Sequence, residues 1–193
     1  MQEGKGERNL EILLEELSND ENNPYILYQI AKTLWILKRF SEADNYFEKF
    51  YENAKNIKSE YRKTGIISYI YNLSELNKND KGIKIIENEK NNLKNSADFY
   101  FACGMFYMKA VLSDINKYIN CFPEIEKSYL KCLEIGENKN SDGVIGCGSF
   151  KASYNLGVFY EVTGNPAKAR EYYGLSGRQG YAPARERLKN LNK

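Results

Sequence analysis

The feature that most narrows the fold is a pattern that returns. Ala31 and Ala43 stand 12 residues apart near the start of the chain, and Gly157 and Ala169 stand 12 apart near its end. Around the second pair the order is Asn155-Leu156-Gly157, Tyr160, Gly164-Asn165, Ala169, Tyr173. Small residues at matched positions on two helices let the backbones approach, and the aromatics fill the gap to a neighbour. A helix hairpin that recurs in this way cannot bury its apolar face alone and must stack on its copies, so the chain is expected to be an all-α solenoid. Local signals agree. Leu10, Leu13, Leu14 and Leu17 follow helical spacing from Asn9 onward. Asn23 suits an N-cap with Pro24 at the first helical position. The spacing predicts a helix over 25–37, a break at Lys38–Phe40, and a second helix over 42–54 capped by Ser41. Strict apolar–polar alternation between turn pairs is lacking, which argues against a sheet.

Equivalent units start near Tyr25, Thr64, Asp98 and Lys151, at spacings of 39, 34 and 53 residues. The second unit carries Leu73, Leu76 and Ile86, with Gly82 in the small slot of its second helix and Ile70 where a small residue is expected in its first. The third carries Tyr100, Gly104 and Tyr107, then Tyr129 and Cys132. The surplus residues belong in connections. They fall after the first hairpin, in an insertion at 110–123 that prolongs a helix through Val111, Leu112 and Ile115, and in the loop Glu137–Gly148. The expected organisation is a flexible N-terminus over 1–8 and a single solenoid domain over 9–193. Its hairpins lie near 24–56, 62–93, 97–136 and 148–179, and a capping helix spans 182–191 with Pro183 in its first turn.

Composition removes several classes of function. Basic and acidic side chains number 28 and 26, for a net charge of +2, too little excess for a phosphate-driven nucleic-acid binder. The sequence has no His, and so lacks the commonest general base and metal ligand. No metal, cofactor or catalytic residue is expected. No apolar run approaches the ~20 residues a membrane helix needs, and Met1–Arg8 is polar and charged, so membrane insertion and a secretory leader are not expected. Four cysteines without a Cys-x-x-Cys pair fit reduced thiols in the cytoplasm. Cys103 and Cys132 fall at core positions, while Cys147, in the glycine-rich run Gly143–Gly148, is expected to be the most exposed. That run is either a linker leading into a helix or a cradle of backbone amides for an anion. Arg170, Arg178, Arg185 and Arg187 form either the solvated end of the solenoid or a docking patch.

The repeating unit resembles the tetratricopeptide repeat (TPR) family. That resemblance implies a right-handed superhelix of about four hairpins, with an N-terminal helix and a C-terminal capping helix. The first helix of each hairpin lines the concave face. On this alignment the groove residues are Tyr28, Lys32 and Trp35, then Ile67 and Tyr71, then Phe101, Met105 and Met108, then Tyr154 and Val158. Tyr25, Thr64, Ser74, Asp98, Lys151 and Glu161 fall on the same face. Such a groove suits an extended peptide or a glycan, which stack on Tyr and Trp. The alternative is that some of these side chains only pack on the next helix, or that the 110–123 insertion fills the groove. Slots that hold a peptide carboxylate in some TPR proteins carry Tyr28, Lys32, Ser68, Asp98 and Ala102 here, and only Lys32 is positive.

Three stretches resemble something narrower: Glu7–Leu17 with Pro24–Ile30, Ala97–Phe101, and Gly148–Asn165 continuing to Gly180-Tyr181-Ala182-Pro183. Together they are similar to the TPR region that follows the catalytic domain of bacterial family 2 (GT-A type) glycosyltransferases. The Asp-x-Asp pair of that catalytic domain does not occur in this chain. The resemblance therefore implies a non-catalytic interaction module whose partner is a glycosyltransferase catalytic domain or its acceptor. The alternative is a stand-alone TPR adaptor or regulator that binds a peptide. The sequence leaves the oligomeric state open.

Overall fold

The computed structural model describes residues 2–137 and 143–191, and its side chains from residue 4 onward; the middle of the expected loop Glu137–Gly148 lies outside the described residues. Every regular element among the described residues is helical. The chain divides into two compact units, Met1–Glu89 and Lys90–Lys193, where the sequence leads one to expect a single domain. The division falls at the turn residues that join the second hairpin to the third.

The first unit contains α1 (Gln2–Asn19), α2 (Pro24–Ile36), α3 (Phe40–Asn53), α4 (Glu60–Glu75) and α5 (Asn79–Glu89). Helix α1 begins at Gln2, so residues 2–8, expected as a flexible terminus, continue the helix. Its early turns have partners: a Cβ on Gly6 would press on Leu37 at 2.8 Å, and Glu7 pairs with Arg39 at 3.2 Å. Asn23 caps α2 as expected, accepting from the amides of Tyr25 and Ile26. Ser41 does not cap α3. That helix already starts at Phe40, whose ring meets Trp35 edge-on at 6.2 Å.

The early start of α3 follows from a turn that recurs. Lys38 and Asn77 adopt positive φ of 60° and 53°, and Gly164, in the second unit, adopts 76°. All three occupy the same place in the repeat. In each case the next amide reaches back five residues: Arg39 to Leu34, Lys78 to Leu73, Asn165 to Tyr160. This left-handed cap satisfies helix-end carbonyls and reverses the chain in three residues. The third hairpin has Val111 at that position, inside a helix that runs on.

The second unit contains α6 (Ala97–Ser113), α7 (Ile115–Tyr118), a 3-10 turn (Ile119–Cys121), α8 (Phe122–Ile135), α9 (Phe150–Val162), α10 (Pro166–Arg178) and α11 (Ala182–Leu191). The 110–123 insertion thus prolongs α6 and adds a short helix, anchored by the buried Tyr118. Helix α11 has Pro183 in its first turn and buries Ala184. All four arginines are exposed; Arg185 donates to the carbonyl of Gly177 at the end of α10 and Arg187 pairs with Glu161.

Within hairpins the small slots work by volume. A Cβ on Gly104 would stand 2.7 Å from the ring of Tyr129, and one on Gly157 would stand 2.5 Å from that of Tyr173. The first hairpin buries Ala31 with Ala43 and Phe47 at the equivalent places. In the second, where Ile70 replaces the small residue, the facing aromatic slot holds Ile86, and both are buried. A larger residue on one helix is thus matched by a smaller one on the other, which keeps the layer filled.

The first unit also buries an ion pair. Arg62, in the first turn of α4, donates from both Nη atoms to Glu89 at 3.0 and 2.8 Å, and from Nε to the carbonyl of Ala54 at 2.8 Å. One guanidinium therefore ties the end of α3, the start of α4 and the end of α5.

Candidate ligand-binding face

In the first unit, α2 and α4 carry the expected face. Lys32 and Trp35 are exposed, the indole at 37%, and Ile67 and Tyr71 are half-buried. Tyr28 is a correction. It is only 3% exposed and belongs to the core. Gly65 brings α4 so close that an added Cβ would clash with Phe50 and lie 3.1 Å from Tyr28. The Tyr28 ring packs on Phe50 at 5.6 Å, and burial pushes its hydroxyl above the usual range against a hydrogen bond with Ser68. The ammonium of Lys32 sits 5.9 Å from the centroid of this buried ring. Tyr25 stays 47% exposed, edge-on to Tyr61 at 5.3 Å. The result is a shallow aromatic face with one cation.

In the second unit, α6 and α9 carry the face. The amide of Asn155 on α9 points to the sulfur of Met105 on α6 at 3.7 Å, which sets the two stripes side by side. Met105 is exposed; Phe101, Met108, Tyr154 and Val158 are half-buried. Two of these are partly spent on packing. Phe101 meets Tyr129 at 5.7 Å, and Tyr154 lies against Tyr173 and Tyr181 at 5.6 and 5.2 Å. The stripes also run further than the aligned positions. Leu112, one turn beyond Met108, is 80% exposed, and Val162, one turn beyond Val158, is 76% exposed. A simple i, i+4 continuation of each stripe would have included them.

Asp98, at the start of the α6 stripe, is engaged by the chain itself. It accepts from the amide of Val144 at 2.8 Å. Glu137 accepts from the amide of Gly146 at 2.7 Å and from the hydroxyl of Ser149 at 2.6 Å. Amides that an anion would need are thus taken by the protein's own carboxylates, which argues against the anion cradle. Gly148 lies so near the carbonyl of Gly136 that any side chain would collide with it. This tight seat corrects the expectation for Cys147. It is 2% exposed, and burial, with Asp98 beside it, pushes its thiol up to about 12. Cys103 and Cys132 are buried as expected, and none of the four cysteines is in a disulfide.

Among the described residues no three His, Cys, Asp or Glu side chains gather to hold a metal ion, and no helix is long and apolar enough to cross a membrane.

No protein-family model matches the chain, and no curated protein matches it in sequence. Solved structures do match it. MamA (41-end) from Desulfovibrio magneticus RS-1 superposes with a TM-score of 0.69 at 16% identity, over 94% of this chain and 90% of that one. YrrB, described as a TPR protein with an unusual peptide-binding site, gives 0.65 at 18% identity over 96% and 84%. TTC0263, a thermophilic TPR protein of Thermus thermophilus, gives 0.61 at 15% identity over 97% and 91%. At these identities the likeness is one of fold, and the fold of this chain is the all-α TPR solenoid.

Proposed function

We propose that the chain is a non-catalytic interaction module that takes an extended peptide on its first-helix faces. The observation that carries this reading is the face of α2 and α4. There an exposed Trp35 and Lys32 stand with the half-buried Ile67 and Tyr71 on a rigid helical layer. Large aromatic rings that bury area at little entropic cost are the usual anchors of a binding surface, and a lone cation beside them adds orientation. The peptide-binding site of YrrB, a protein of the same fold, supports the same use. A cytoplasmic setting, in which four thiols outside any disulfide stay reduced, fits this role. Attachment to a family 2 glycosyltransferase rests on the sequence resemblance alone; the structural relatives lend it no support.

The test is a peptide selected from a random display library against the intact chain. Binding should change the fluorescence of Trp35, and Tyr71→Ala should weaken affinity by about tenfold or more, as for an anchor residue. Unchanged affinity in that variant would place the site elsewhere.

A further inference from the structure

Between α3 and α4 three buried oxygens have no hydrogen-bond partner within the protein: Oδ1 of Asp44, the hydroxyl of Tyr69 and Oδ1 of Asn72. All three residues are almost wholly buried. Their other polar atoms are committed. Oδ2 of Asp44 takes the Lys78 ammonium at 2.6 Å, and Nδ2 of Asn72 donates to the carbonyl of Phe40 at 3.2 Å. The register sets the three along one α3–α4 contact. Tyr69 and Asn72 are one turn apart on α4, and Phe40, which holds Asn72, is one turn before Asp44 on α3. Tyr69 stacks on Phe47, one turn after Asp44, at 5.3 Å, and Asp44 is the foremost charge acting on its hydroxyl.

Donor and acceptor arithmetic then decides the matter. Two of the three atoms are pure acceptors, and the third has a single proton. The Tyr69 proton serves one acceptor at most, so with Lys78 engaged on Oδ2 a further donor is called for. Turning the Asn72 amide over would set its oxygen against the Phe40 carbonyl and only move the deficit. We propose that Asp44, Tyr69 and Asn72 form a binding site for one water molecule, which donates to both carboxamide and carboxylate oxygens and accepts from the tyrosine. A water with three such partners is the common way in which buried polar groups are completed. A cation is the weaker candidate, because Lys78 already balances the charge of Asp44. The site lies between α3 and α4, so the bound water ties the second helix of the first hairpin to the first helix of the next.

The test is a crystal structure of the full chain grown with rubidium as the monovalent cation. The proposal requires a peak at ordinary hydrogen-bond distance from all three oxygens, without anomalous signal. An anomalous rubidium peak, or a Tyr69 hydroxyl bonded directly to Asp44 with no peak, overturns it. Tyr69→Phe gives an independent sign. Losing a donor to a bound water lowers the urea midpoint, whereas removing a hydroxyl that has no partner raises it, and a raised midpoint also overturns the proposal.

Discussion

At the scale of single residues, the contact of Gly157 with Tyr173 shows how the hairpins are kept close. The ring lies where a methyl group would go, so Gly157→Ala must push a fully buried aromatic out of its rotamer. We expect a loss of roughly 1–3 kcal/mol in urea unfolding, the usual cost of overpacking a filled core. This contact was legible, because small residues at a fixed spacing mark touching helices. The burial of Cys147 was not. It depends on Asp98 and Glu137 holding the backbone of a segment that carries no periodic pattern. Its thiol is raised in the fold from an ordinary 9.0 to about 12, so the neutral form is the one the fold favours. The sign follows. This contribution to stability is intact below pH 9 and is lost as pH rises toward about 12. Thiol labelling of the folded chain at pH 8 should modify the partly exposed Cys121 first. Labelling of Cys147 at a matching rate would contradict the buried seat.

At the scale of elements, the hairpins turn on a left-handed residue, and only one of the three such turns uses glycine. A side chain with a Cβ pays about 1–2 kcal/mol for that conformation. Lys38→Gly should therefore stabilise the chain by about 1 kcal/mol, and Gly164→Ala should cost a similar amount, both read by urea unfolding. The Gly164-Asn165 turn was visible in the sequence. Lys38 was not recognisable as its equivalent, because lysine carries no turn preference and is forced there by the helices on either side. The same limit hid Arg62. Its partner Glu89 is 27 residues away, and both look like ordinary surface charges of a polar helix end. Buried and bidentate, the pair cannot lose one member cheaply: Arg62→Ala should destabilise by about 3–5 kcal/mol, because it strips a buried carboxylate of its counter-charge. A loss under about 1 kcal/mol would mean that water reaches Glu89.

At the scale of the whole molecule, the repeat period made the all-α fold legible, since every regular element among the described residues is a helix. The division into two units was not legible. No glycine- or proline-rich linker marks it, and the repeat pattern runs through it unbroken. The candidate face was partly legible. Alignment by repeat position found the side of each helix that looks outward, but it could not see that Gly65 draws Tyr28 into the core. Nor could it see that Tyr154 is shared with Tyr173 and Tyr181.

On the proposed function, a partner docks on the face of α2 with α4 or on that of α6 with α9. The most direct measurement is an amide and methyl chemical-shift map of the intact 22.3 kDa chain with a selected peptide. The largest changes should fall on Lys32, Trp35, Ile67 and Tyr71, on Met105, Met108 and Val158, or on both sets. Changes concentrated instead on the outer faces of α3, α5, α8 and α10 would contradict it.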